Sequence, residues 1–284
     1  MIDPTAPTAE SVGDQAPVGP PASPLLASGG LAIILLAALV PELRPLALIG
    51  LVTGWGALRV GRRPEAIAWA AVIPVAIALG WPILAGADVP LGRACTDVGS
   101  AIVVRRLGLA VVVLAAIGGL AAAHRSSLAE LGLGRPRPRD AGLALLGCVA
   151  LAAGGLVIGP AVARPFFGQL DFPVPQAALL PAVVFGVANG VTEELQYRGA
   201  MQAWLGRLAP AWIAIGFQAL LFGIVHAGPD VVALLPVHVA LLVAVGAAGG
   251  VVRARTGSLV IPIGVHVGAD IALYVGLACR AVPA

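Results

Sequence analysis

Residues 177–205 read AALLPAVVFGVANGVTEELQYRGAMQAWL, an apolar run to Val191 followed closely by Glu193, Glu194 and Arg198. An α-helix needs about 20 apolar residues to cross the roughly 30 Å hydrocarbon core of a bilayer. This stretch is long enough to span, yet its second half is charged. A charge at the centre of a spanning helix costs roughly 2.5–3.5 kcal/mol on the insertion scale. Charges placed there face the bundle interior, pair with one another, or do chemistry.

The rest of the chain supports a membrane setting. It has 284 residues, of which 59% are hydrophobic and 11% charged, and its mean hydropathy is +0.98. Soluble domains carry about 25% charged residues, so the composition is that of a polytopic membrane protein. Lysine is absent: all 17 basic residues are arginine, against 14 acids. A formal charge of +3 is too small for a nucleic-acid binder, and no nucleic-acid partner is expected. Cys95, Cys148 and Cys279 form no CxxC pair and no metal-type spacing, which argues against a disulfide framework.

Windows of apolar residues fall at 25–40, 46–58, 66–86, 103–122, 141–163, 177–205, 210–227, 231–252 and 259–278. The expected fold is all-α, a polytopic transmembrane helical bundle of about eight or nine spans. The first two windows are short and read as a tilted or partly interfacial hairpin. Residues 1–24 are rich in Pro, Ala and Ser and hold acids but no base, as in a disordered tail. The connection 123–140, containing HRSSLAELGLGRPRPRD, divides N-terminal helices (25–122) from a linker, helix and loop (123–176) and a final unit (177–278). With the N-terminus in the cytoplasm, ten arginines lie on cytoplasmic connections and six opposite. The expected localisation is the cell membrane.

Three polar groups recur in the last hundred residues: Glu193-Glu194-x-x-x-Arg198, Phe222-x-x-x-His226 and His266-x-x-x-Asp270. Glu194 and Arg198 stand at i, i+4 with the acid first, the favoured order for a helical ion pair. Glu193 is turned about 100° away, so the cluster reads as one structural pair plus one unpaired carboxylate suited to general acid–base work. His266 and Asp270 share a helix face, so Asp270 orients the ring or both face one ligand. Counting residues from the cytoplasmic turns leaves His266 about 10 Å shallower than Glu193 and His226. Asn189 lies one turn before Glu193, and His238 is in mid-span without a motif partner. His124, beside Arg125, reads as a solvated loop residue.

The three groups, in this order and on separate spans, resemble the EExxxR, FxxxH and HxxxN/D pattern of the CAAX-protease and bacteriocin-processing (CPBP, or Abi) intramembrane proteases. That family includes the Ras-converting CAAX endopeptidase. QYRGAMQAWL and RTGSLVIPIGVH also resemble its members. The resemblance implies that Glu193 activates the hydrolytic water with His226 beside it. It implies that His266 and Asp270 complete the site and that Glu194 with Arg198 support it. Many relatives have Asn where this chain has Asp270. An Asn can donate to an oxyanion, whereas an ionised Asp only accepts. Glu193, His226, His266 and Asp270 also offer donors for a divalent metal such as zinc. Metal-dependent and metal-free, glutamate-dependent hydrolysis are both compatible with the residues.

The expected function is an intramembrane endopeptidase whose site opens toward the cytoplasm. Its expected partners are a peptide or protein substrate, prenylated (CAAX-type) or not, and membrane lipid. Two other classes fit the same polar residues: a proton-coupled transporter, and a non-catalytic bacteriocin-immunity membrane protein that keeps the family fold. The chain shows no repeated halves of the kind common in transporters.

Overall fold

The computed structural model describes residues 23–85, 97–167, 176–226 and 235–278. The expected N-terminal tail apart from its last two residues, together with Cys95 and Cys279, lies outside them. Every regular element among the described residues is helical. Ten α-helices follow in order: α1 Pro24–Leu39, α2 Arg44–Val60, α3 Ala66–Ala85, α4 Ala101–Ala123, α5 Pro138–Phe167, α6 Leu179–Glu194, α7 Gln202–Leu205, α8 Ala211–Val225, α9 Leu235–Thr256 and α10 Val260–Ala278. A π-helical segment, Leu195–Met201, joins α6 to α7 without a break.

Local chemistry sets several of these ends. The Ser23 hydroxyl accepts from the Leu26 N–H, and Pro24 opens α1, a pairing that supplies a cap and pre-sets φ. Ser100 caps α4 in the same way through the Val103 N–H. Both helices of the sequence-read hairpin form and lie on α3. Gly29, Gly30 and Gly54 leave the room that the Trp69 indole fills between α1 and α2.

Among the described residues five helices are long and apolar enough to cross a membrane, and four shorter apolar helices accompany them. They differ in what they face. Only 6% of the Pro138–Ile158 stretch and 11% of Pro236–Thr256 is buried, against 50% of Gln176–Leu205. The α5 and α9 surfaces therefore face lipid, and α6 with its extension is the central post of the bundle. Helix α10 lies against both α5 and α6. Gly264 and Gly268 permit this, because a Cβ at either would meet the backbone of Ala144 or Cys148.

One end of the bundle gathers the connections 61–65, 124–137, 206–210 and 257–259. Arg207 grips both Glu130 carboxylate oxygens at 2.5–2.6 Å and also donates to Ser126 Oγ and the His124 carbonyl. Trp204 Nε1 donates to Ser126 Oγ at 2.9 Å, and Arg253 donates to the Glu130 carbonyl. The Leu259 N–H donates to the Gly132 carbonyl. Gly132 has φ +78° with the Leu259 side chain packed over it, a position that only glycine fills without strain. His124 departs from the solvated loop residue read in the sequence. It is the half-buried C-cap of α4, its Nε2 accepts from Trp55 Nε1 at 3.0 Å, and its ring lies between Trp55 and Trp204.

Candidate active site

The site grows from the second half of α6. Glu193 and Glu194 are both buried, and the chain enters its π-helical turn at the next residue. Single π-helical turns inside α-helices widen the local register and recur at functional sites. Arg198, inside that turn, points back to Glu194, NH1 to Oε1 3.1 Å, with only 1% of its side chain exposed. Its guanidinium also lies 4.3 Å over the Phe222 ring, a cation–π contact that strengthens where water is excluded. Arg198 is thereby held by an anion and an aromatic face together.

Glu194 has a second partner. His266 Nδ1 donates to Glu194 Oε1 at 2.8 Å, so the same oxygen holds both Arg198 and His266. This differs from one of the two expectations, that Asp270 orients His266, and leaves the other, that both face one ligand. Asp270 Oδ2 lies 3.7 Å from His266 Nε2, on the other side of the ring, and accepts from Asn189 Nδ2 at 2.9 Å. The Glu194 hydrogen bond therefore fixes the ring and directs Nε2 toward Glu193 and Asp270. Across-bundle partners of this kind leave no trace in the spacing of a single helix.

Glu193 is not the isolated carboxylate that helical rotation suggested. Its Oε2 lies 3.4 Å from His226 Nε2 and 3.7 Å from His266 Nε2, and its Oε1 lies 3.9 Å from Arg106 NH1. All three separations exceed a direct hydrogen bond of about 2.7–3.2 Å. Glu193 Oε2 is buried and makes no hydrogen bond to protein. His226, the C-cap of α8, donates from Nδ1 to the Phe222 carbonyl at 2.7 Å, which turns Nε2 toward Glu193. That backbone bond explains the FxxxH spacing: a histidine one turn beyond Phe222 closes the helix end and aims its other nitrogen inward. Phe222 itself touches Tyr197, His226 and His266 edgewise or at a tilt.

The expected depth mismatch for His266 is absent, since its Nε2 reaches Glu193. The residue count took each turn as level with the surface, but Ser258 and Leu259 are buried beneath the 124–137 connection. Helix α10 thus starts inside the protein. All six residues read from the sequence, Glu193, Glu194, Arg198, His226, His266 and Asp270, converge on one cluster.

Arg106 was missed. It lies on α4, far from the motifs in sequence, and was counted among the arginines of the opposite side. Its guanidinium stands 5.3 Å over Phe185 and beside Glu193. The signal that marks it is a charged pair, Arg105-Arg106, a turn inside an apolar span. Among the described residues no group of three or more His, Cys, Asp or Glu side chains is arranged to hold a metal ion.

A cavity of about 390 Å³ leads to the cluster, lined by Glu193, Gln196, Tyr197, His226, Arg105 and Arg106 among others. Its walls are the C-terminal half of α3 (Val75 to Pro82), the N-terminal half of α4 (Ile102 to Leu109) and the last residues of α8. These are the helix ends remote from the arginine-rich connections. Two expectations from the sequence therefore conflict. If the ten-arginine side is cytoplasmic, the cavity lies toward the other side.

Comparison with known families bears on the same stretch. Residues 175–272 match the model for type II CAAX prenyl endopeptidase Rce1-like proteins. The segment is an Rce1-like domain. It holds all six motif residues, whereas Arg106 and the α3 and α4 walls lie outside it. No curated protein and no solved structure matches the chain. Over residues 175–272 the chain is thus similar to CAAX-type intramembrane proteases, and five described helices long and apolar enough to span make it an integral membrane protein.

Proposed function

We propose that the chain is an intramembrane endopeptidase that hydrolyses its substrate with a water activated by Glu193. The observation that carries this reading is Glu193 Oε2: buried, free of any hydrogen bond to protein, and flanked by the Nε2 atoms of His226 and His266. A carboxylate so placed takes a proton from water as the water oxygen attacks the scissile carbonyl carbon. Negative charge then develops on the carbonyl oxygen. The imidazolium form of His266, held at Nδ1 by Glu194, donates from Nε2 to that oxygen. Glu193 returns its proton to the amide nitrogen as the C–N bond breaks, leaving a new carboxyl group and a new amine. Asp270 accepts rather than donates in this scheme, and the Asn189 amide holds it in place.

Arg198 stays out of the chemistry. It neutralises Glu194, which positions His266. The chain's place of action is the cell membrane, a reading supported by the hydrophobic composition and the helices long enough to span a bilayer. The test compares wild type with Glu193→Gln in lipid vesicles, each offered farnesylated and unfarnesylated peptides ending in Cys-aliphatic-aliphatic-X. Cleavage by wild type and a loss of about 10²–10⁴-fold in the variant support the mechanism. Full activity in Glu193→Gln sinks it. A chelator arm tests zinc separately, and substrate farnesylation is read from the ratio of the two peptide rates.

A further inference from the structure

Two arginines line a cavity whose one lining carboxylate among the described residues is Glu193. Arg105 and Arg106 are both half-buried, in a helix that is otherwise apolar. Arg106 keeps 27% of its side chain exposed and meets Glu193 only at 3.9 Å, so its donors are not consumed by that contact. The cavity thus carries more positive than negative charge. A low-dielectric wall with surplus arginine selects an anionic group on whatever enters, because guanidinium pairs with carboxylate through two parallel hydrogen bonds.

The length of the wall says where on a peptide that group sits. Ile102, Arg105, Arg106 and Leu109 face the cavity at helical i, i+3, i+4, i+7 spacing, a strip about 10 Å long. At most about three extended residues fit along the whole strip, and fewer separate Glu193 from Arg106, which stands 3.9 Å from it. A peptide whose scissile carbonyl is at Glu193 and which ends a few residues later brings its terminal carboxylate to this strip.

Resting on the protease reading above, we infer that Arg105 and Arg106 bind the C-terminal carboxylate of the substrate. They make α4, outside the Rce1-like segment, the element that restricts cleavage to chain ends. Arg106 is then a specificity residue as well as a neighbour of Glu193.

The experiment uses the full chain in neutral-lipid vesicles with Glu193→Gln in the background, so that binding is read without turnover. The probe is a fluorescent peptide ending in Cys-aliphatic-aliphatic-X, as the free acid or the C-terminal amide. The acid binds about tenfold or more tightly than the amide if a charge-assisted pair is formed. The preference falls toward one in Arg105→Gln and Arg106→Gln, and Arg106→Lys retains part of it. Because each variant is compared with itself on two peptides, a general loss of affinity does not disturb the ratio. Equal binding of acid and amide by the parent, or a preference that survives both Gln variants, overturns the inference. So does a preference that vanishes when anionic lipid is added, since the arginines then belong to lipid phosphate. Cleavage by the Glu193-intact chain is a separate readout: acid preference without cleavage of either peptide sinks the protease reading and leaves the carboxylate anchor standing.

Discussion

Two of the arginine–glutamate pairs among the described residues, Arg207–Glu130 and Arg198–Glu194, contrast in nearly every respect. At the connection end, Arg207 and Glu130 are a third exposed and surrounded by serine, backbone carbonyls and other arginines. In the interior, Arg198 and Glu194 are almost wholly buried, and Glu194 holds a histidine too. Charges in reach of water are cheap to place and contribute little, whereas buried ones cost several kcal/mol each to desolvate. The first cluster therefore clamps loops together. The second persists in the bundle because it fixes His266 against Glu193. The same residue pair is scaffold in one place and site support in the other, and dielectric surroundings decide which.

The sharpest way to break this contrast is by sidedness, because the outcome is all or none. In a chain freed of Cys95, Cys148 and Cys279, a cysteine at Arg135 reports the clamp end, and one at Ile102 reports the cavity. The structure places them toward opposite helix ends, so a membrane-impermeant thiol reagent added outside vesicles of one orientation labels one and spares the other. Labelling of both from one side would mean that the cavity opens beside the clamp.

Next in size is the chemical role. Glu193→Gln leaves a neutral isostere in the cluster and should reduce cleavage about 10²–10⁴-fold while the far-UV spectrum stays helical. Equivalent loss in Arg207→Gln would erase the distinction between site and clamp.

The third effect is on stability. Arg198→Met removes the cation and leaves Glu194 buried with His266 alone, a change of about 3–5 kcal/mol when a buried pair loses one member. Adding Glu194→Gln should restore part of it, because the two positions are coupled through one contact. Thermal unfolding in detergent measures both. Additive losses in the double variant would show that the pair does not act as a unit.

How much of this was legible beforehand differs between the same two regions. The interior motif residues could be read because charge in an apolar run is costly, and helical spacing correctly paired Glu194 with Arg198. Their partners across the bundle could not be read. Nothing in the spacing ties His266 to Glu194 over 72 positions, or brings Arg106 from α4 to Glu193, since those contacts depend on how helices cross. The clamp was less visible still. His124 lies next to an arginine in a polar stretch, and only the packing of Trp55 and Trp204 against it shows that it is enclosed. The all-helical membrane fold was plain in composition, yet the π-helical turn was not, because its residues, Gly199 apart, are ordinary helix formers.

The smallest expected effect is also the most specific to the clamp. Hydrogen bonds from Arg207 lead in holding the Glu130 carboxyl below its ordinary value of 4.5. Burial, with Arg59 and Arg207 nearby, lowers His124 below its ordinary 6.5, in keeping with the N–H that Trp55 aims at its ring. Both groups bind protons less readily when folded than when unfolded. Each therefore contributes stability that is present above its unfolded value and is lost as pH falls through the folded one. Thermal stability should be level near pH 8, begin to decline below about 6.5 as unfolded His124 takes up a proton, and decline further below about 4.5 through Glu130. The informative quantity is the difference between wild type and Arg207→Gln across this range, which isolates the clamp from the rest of the chain. That difference should be under about 1 kcal/mol at neutral pH, as for a pair in contact with water. It should shrink toward zero as Glu130 is protonated, when the carboxylate that Arg207 grips no longer carries charge. A difference that stays constant down to pH values at which Glu130 is protonated in the folded chain as well would mean that Arg207 holds the connection through Ser126 and the His124 carbonyl alone.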